Sequence, residues 1–142
     1  MGHVGYDISY PQCGLPFPGP PNLPPPAFAI LGVNNGQPFS PNPCLGASGV
    51  PSQLTWAGPA SGPSVNTANP GPAVSTRWPR GQVVPRECDT PTRPGDDTAD
   101  CAYDYGWNAT ADAFSGAARA YAGVGFSPTA VPWWLDVETA NS

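Results

Sequence analysis

The spacing of apolar and polar positions changes several times along the chain, and each change marks an element. From Gly5 to Ser9 the two kinds alternate, with Tyr6 and Ile8 on one face and Gly5, Asp7 and Ser9 on the other, which predicts a short first strand. A proline-dominated loop carrying polyproline II pieces follows as far as Pro26. Ala27 to Val33 is then almost unbroken in its hydrophobicity, as expected of a strand buried on both faces of a parallel sheet. Asn34, Asn35 and Gly36 close that strand with a turn, and side-chain amides at a strand's carboxyl end are well placed to meet a polar ligand. Leu45 to Ala57 predicts one irregular helix, and Ser64 to Ala68 a third strand closed by Asn69, Pro70 and Gly71. From Pro72 to Asp100 runs a long loop, a length that a compact domain tolerates when it is functional or cross-linked.

The clearest helical period lies between Ala102 and Ala122, a stretch without proline. There Trp107, Ala111, Phe114, Ala118 and Tyr121 define an expected packing face, and Asn108, Asp112, Ser115 and Arg119 an opposing wet one. Gly123, Gly125 and Pro128 supply stop signals. In the final strand, Pro132 to Glu138, Trp133, Leu135 and Val137 alternate with Trp134, Asp136 and Glu138. Strand, loop, strand, loop, strand, helix, strand is the order of repeated right-handed βα units, so the fold class is α/β with about four parallel strands.

Composition changes this picture in three ways. With 22 Pro and 17 Gly among 142 residues, most structure must be short strands and ordered loops, while 39% hydrophobic residues and five Trp supply material for a core. Five basic residues against ten acidic ones give a net charge of −5, which leaves no basic patch for nucleic acid. No apolar run approaches the roughly 20 residues needed to cross a bilayer. The four cysteines, Cys13, Cys44, Cys88 and Cys101, lack the paired spacing of zinc sites and read as two disulfides. Of three possible connectivities, Cys13 with Cys44 and Cys88 with Cys101 is favoured because each bridge closes a modest loop. Such bonds persist in oxidising compartments, so a secreted or cell-envelope location is expected although the chain shows no signal peptide.

The sharpest chemical feature is Asp136 with Glu138. An i, i+2 pair on a strand points both carboxylates to one face, about 7 Å apart along the axis. Like charges so close push their pKa values apart, and glycosidic cleavage needs that division between proton donor and charge stabiliser. Asp7, on a strand with the same alternation, is the expected third member. A D-x-E pair also arises by chance at solvated strand ends, but the preceding Trp133-Trp134-Leu135 is too apolar for an exposed edge and places the pair at the rim of something buried. The single histidine, His3, lies next to the N-terminus, which removes mechanisms built on a histidine base.

Gly5-Tyr6-Asp7-Ile8-Ser9, Phe28-Ala29-Ile30-Leu31-Gly32-Val33 and Trp134-Leu135-Asp136-Val137-Glu138 resemble the first, second and fourth strands of the lysozyme-type barrels of glycoside hydrolase family 25. Val65 to Gly71, Tyr103-Asp104-Tyr105-Gly106 and the ending Glu138 to Ser142 resemble more closely the related glycoside-hydrolase-like TIM-barrel domain of secreted bacterial proteins. The resemblance implies a partial TIM barrel, with residues 1–142 as the N-terminal half of such a domain. It implies Asp7, Asp136 and Glu138 as catalytic residues, with Glu138 as general acid. Asn34, Asn66 and Asn69, as amides near strand ends, and Trp134, as a ring beside carboxylates, are the expected substrate-binding residues, although core packing is the commoner role for a tryptophan such as Trp134 taken alone. Polysaccharide or peptidoglycan is the expected partner, without cofactor or metal. Tyr10-Pro11 and Asn34-Asn35-Gly36 depart from the muramidase pattern, and a late aspartate of the family has no counterpart. The alternatives are a non-catalytic envelope or glycan-binding module, and a truncated fragment that is inactive and leaves a sheet edge open.

Overall fold

The computed structural model describes residues 3–46, 52–88 and 97–137. Four strands, β1 (Gly5–Ile8), β2 (Phe28–Gly32), β3 (Ser61–Asn66) and β4 (Trp134–Asp136), form one sheet in chain order, and every neighbouring pair is parallel. A 3₁₀ turn (Tyr10–Gln12) follows β1, a short helix α1 (Gln53–Ala57) precedes β3, and a long helix α2 (Ala99–Gly123) leads to β4. The α/β class with four parallel strands and one main helix is thus as the periodicity predicts.

One face of the sheet carries the core. Ile8, Ala29, Leu31, Val33 and Val65 pack with Leu45, Leu54 and the α2 residues Ala113, Ala117 and Tyr121. The Tyr121 hydroxyl donates to the Ser61 carbonyl at 3.3 Å, which fixes the last turns of α2 over the start of β3.

The packing face of α2 differs from the expected one. Cys101, Tyr105, Ala109, Ala113, Ala117 and Tyr121 are buried, whereas Trp107 and Phe114 are 56% and 40% exposed. Four-residue spacing forms a ridge along the helix, and alanines on that ridge let the backbone approach the sheet closely. Two large aromatics in the same place would hold it away. Of the expected stripe only Tyr121 is buried.

α2 starts earlier than its apolar period because Thr98 caps it, its side chain accepting from Cys101 N at 3.2 Å. It stops where Gly125 takes a φ of 78°, with Phe126 N donating back to Tyr121 O at 2.9 Å. β3 begins three residues before its expected start. Gly62 and Pro63, which read as a loop, lie in the strand, with Pro63 buried opposite Leu31. α1 covers the last residues of the expected irregular helix, behind the cap of Ser52 on Thr55 N, and residues 47–51 of that expectation lie outside the described residues.

Both disulfides have the favoured pairing. Cys13–Cys44 joins the segment after β1 to the segment after β2, and Cys88–Cys101 joins the long loop to the first turn of α2. Around the second bridge Trp78, Cys88, Cys101 and Tyr105 form a separate small core. Among the described residues no helix is long and apolar enough to cross a membrane.

β4 corrects one further expectation. Trp133 is half-buried, stacks on Phe114 at 5.7 Å and donates to the Pro128 carbonyl at 3.0 Å. Trp134 and Leu135, however, are 49% and 68% exposed, so this apolar run does lie open. β4 pairs with β3 alone among the described strands.

Candidate functional site

The second face of the sheet holds the polar alternates. Asp7 of β1, Ile30 and Gly32 of β2, Ser64 and Asn66 of β3 and Trp134 and Asp136 of β4 line a cavity of about 490 Å³. Its depth follows from side-chain size: Gly32 and Ser64 leave the middle of the sheet low, while longer groups stand on the outer strands. At Gly32 a Cβ would meet the side chain of Ser9, so glycine is required there by close approach.

Asp7 and Asp136 come from opposite ends of the described chain and from the two outer strands, yet they share this cavity. Asp7 stands level with Ile30 and Gly62, and Asp136 level with Asn66. Partial burial, and secondly the negative charge of Asp136, push the Asp7 carboxyl above the usual aspartate range. The two therefore sense one another. Hydrogen bonds from Asn66 and Thr67 hold Asp136 in place. Its Oδ2 accepts from Asn66 Nδ2 at 3.5 Å, and its backbone carbonyl accepts from Thr67 Oγ1 at 2.8 Å and Thr67 N at 3.3 Å.

The expected ligand-binding amides divide into two groups. Asn34 is buried at the cavity edge, and its Oδ1 accepts from Asn66 N at 2.8 Å, so it joins the ends of β2 and β3. Asn66 lines the cavity and also accepts from Ala68 N at 3.0 Å, an Asx turn that ends β3. Asn69 is exposed and does not line the cavity. The ring of Trp134 forms part of the wall. Glu138, the expected general acid, lies outside the described residues.

Sequence reading missed the polar scaffold beneath the site. Asn42 Nδ2 donates to the Gly32 carbonyl and to Gln53 Oε1, both at 2.7 Å, and Gln53 Nε2 donates to the Ser9 carbonyl at 2.6 Å. Ser9 N in turn donates to Gln12 Oε1 at 2.8 Å. This network clamps the carboxyl ends of β1 and β2 and so fixes the strand that carries Asp7. Nothing in the local pattern of Asn42 or Gln53 announces burial. Ser64 was legible, since two-residue alternation backward from Asn66 puts it on the same face.

The fold and site define an α/β protein with two disulfides whose parallel sheet presents paired carboxylates in an open cavity. Comparison with known proteins finds no matching family model, no similar curated protein and no similar solved structure.

Proposed function

We propose that this protein is an exported glycoside-hydrolase-like domain that cleaves bacterial cell-wall glycan with carboxylates, its four strands forming part of a (β/α) barrel. The observation that carries the reading is the placement of Asp7 and Asp136 on one face of a parallel sheet, lining one cavity, with the Asp7 carboxyl raised toward protonation. Parallel strands in chain order agree with a barrel segment. Two disulfides agree with an oxidising location.

In the proposed mechanism Asp136, oriented by the Asn66 amide, stabilises the oxocarbenium-like centre of the sugar being cleaved. Glu138, two residues later in the sequence, donates the proton to the leaving oxygen as the glycosidic C–O bond breaks; a water then adds to the anomeric carbon and returns a proton to the Glu138 carboxylate. Asp7 keeps its own proton to higher pH than a solvated aspartate, and it lines the same cavity as Asp136. The Trp134 indole offers a face for sugar C–H groups.

The test is release of new reducing ends from purified peptidoglycan by the protein and by Asp7→Asn, Asp136→Asn and Glu138→Gln. Each substitution is expected to lower turnover by about 100-fold or more. Absence of turnover, or turnover unaffected by all three, overturns catalysis. The half-exposed Trp134 favours a second reading, a glycan-binding module: glycan affinity lost in Trp134→Ala and retained in Asp136→Asn, without turnover, is the result expected of it.

A further inference from the structure

A second space lies beside the carboxylate cavity, between the loop that leaves β2 and the loop that leaves β3. It encloses about 410 Å³, and Gln37, Phe39, Ser40, Arg77 and Tyr105 are among its walls. Gly36 borders the first cavity and Gln37 the second, so a single turn of chain separates them.

Arg77 brings a positive charge to this space. Arg86 is paired with Asp100 at 3.0 Å and lies over the Tyr103 ring, whereas Arg77 has no carboxylate of the described residues within ion-pair distance. Its guanidinium carbon lies over the Phe39 ring, 5.7 Å from the ring centre, and its backbone N donates to Ser75 Oγ at 3.1 Å. Phe39 itself has a φ of 58°, and it alone among the described non-glycine residues takes the left-handed region. A bulky residue keeps such a backbone only where its surroundings enforce it, and such residues cluster at ligand sites. Here the enforcement is visible. The Phe39 ring meets Tyr105 edge-on at 5.4 Å, and Tyr105 is stacked on the buried Trp78 at 5.2 Å.

The space therefore presents an aromatic ring, one cation with no carboxylate of the described residues in ion-pair distance, and amide and hydroxyl groups at its margin. An aromatic plate suits the C–H face of a sugar ring. A planar guanidinium suits a carboxylate, which it can hold through two parallel hydrogen bonds. A single cation matches a single negative charge; a phosphate dianion would leave half its charge unmatched.

We propose that this space is a subsite for a carboxylate borne on a glycan chain, held by Arg77 while its sugar ring lies against Phe39. The proposal rests on the glycan reading of the neighbouring cavity and names the substrate class as acidic.

Isothermal titration of the intact protein with a hyaluronan tetrasaccharide, which carries ring carboxylates, and with the neutral tetramer of N-acetylglucosamine tests it. The acidic sugar is expected to bind about tenfold tighter or more at low salt, and the preference is expected to fall in high salt. Arg77→Gln, at an exposed position, is expected to abolish the preference with an unchanged near-ultraviolet circular dichroism spectrum. Phe39→Ala is expected to weaken both sugars alike. Equal binding of the two sugars by the unaltered protein, or a preference that survives in Arg77→Gln, overturns the proposal. A muramic-acid disaccharide distinguishes the carboxylate's source. Binding with the lactyl carboxylate free, lost when it is amide-linked to a peptide, supports a carboxylate borne on the sugar; binding only of the peptide-linked form overturns it. Turnover of peptidoglycan with no carboxylate preference removes the subsite alone, whereas a preference that depends on Arg77 without any turnover removes the hydrolase reading alone.

Discussion

Replacing Gln53 by alanine is expected to cost about 4 kcal/mol of stability, although the residue lies on a five-residue helix. Gln53 is 0% exposed and makes two short hydrogen bonds, to the Ser9 carbonyl at 2.6 Å and from Asn42 Nδ2 at 2.7 Å. Neither partner atom is left without any bond when they go, because Ser9 O still accepts from Gln12 N at 3.1 Å and Asn42 Nδ2 still donates one of its two N–H groups to Gly32 O at 2.7 Å. The hydrogen-bond loss is therefore about 1 kcal/mol per bond, without a further penalty for a stranded buried atom. Truncation also leaves a void where the amide and its methylenes were, worth about 2 kcal/mol by analogy with large-to-small core substitutions. Gln53→Leu fills most of that void and should cost only the hydrogen bonds, about 2 kcal/mol. Urea titration followed by fluorescence, with both disulfides intact, measures the two values. A cost below about 1 kcal/mol for Gln53→Ala, or one for Gln53→Leu as large as that for Gln53→Ala, refutes the division made above. Because the same bonds hold the end of β1, two residues beyond Asp7, Gln53→Leu should also weaken glycan binding while the fold persists.

Three further outcomes are expected. At Gly62 a Cβ would lie 2.8 Å from the Pro132 carbonyl and 3.1 Å from Trp134 Nε1, so Gly62→Ala should cost about 1–3 kcal/mol by pushing β4 away, read by urea titration and a shift in tryptophan emission. Asp7 has a raised folded-state pKa, so above the ordinary aspartate pKa the unfolded chain loses its proton first and stability falls with rising pH until the folded carboxyl also ionises. Asp7→Asn should accordingly melt at the same temperature as the unaltered protein in strong acid and at a higher one near neutrality; a lower melting temperature at neutrality contradicts the raised pKa. Breaking Cys13–Cys44, with a sequence separation of 31, should cost about 4 kcal/mol, and breaking Cys88–Cys101, with a separation of 13, about 3 kcal/mol, measured on paired Cys→Ala variants.

The strands, the long helix and the disulfide pairing were legible in the sequence because each rests on a local signal: alternation, an unbroken apolar run, a proline-free helical period, short loops between cysteines. The face of α2 was not legible. Large aromatics such as Trp107 and Phe114 dominate any reading by hydrophobicity, whereas close helix–sheet contact selects for small size, as at Ala109, Ala113 and Ala117. The start of β3 was hidden by Gly62 and Pro63, residues that usually punctuate strands. At the site, alternation sufficed to put Asp7 and Asp136 on one kind of face. Their sharing of one cavity depends on strand order, which only the assembled sheet supplies. The Asn42–Gln53 clamp joins residues far apart in spatial role, and the cavity beside Arg77 depends on two loops meeting; neither leaves a period to read.

β4 is three residues long and is laddered to β3 alone among the described strands, with Leu135 and the following Val137 68% and 77% open to water. A segment held along one side only detaches at a smaller free energy than a strand enclosed on both, as β2 is. Asp136 thus rides on a part of the sheet with little shelter, and the paired carboxylates should come apart on warming before the helical signal changes. In deuterated buffer the amides of Leu135 and Asp136 should exchange ahead of those of Leu31 and Val33, and the gap between the two sets measures how far loss of the site precedes loss of the fold.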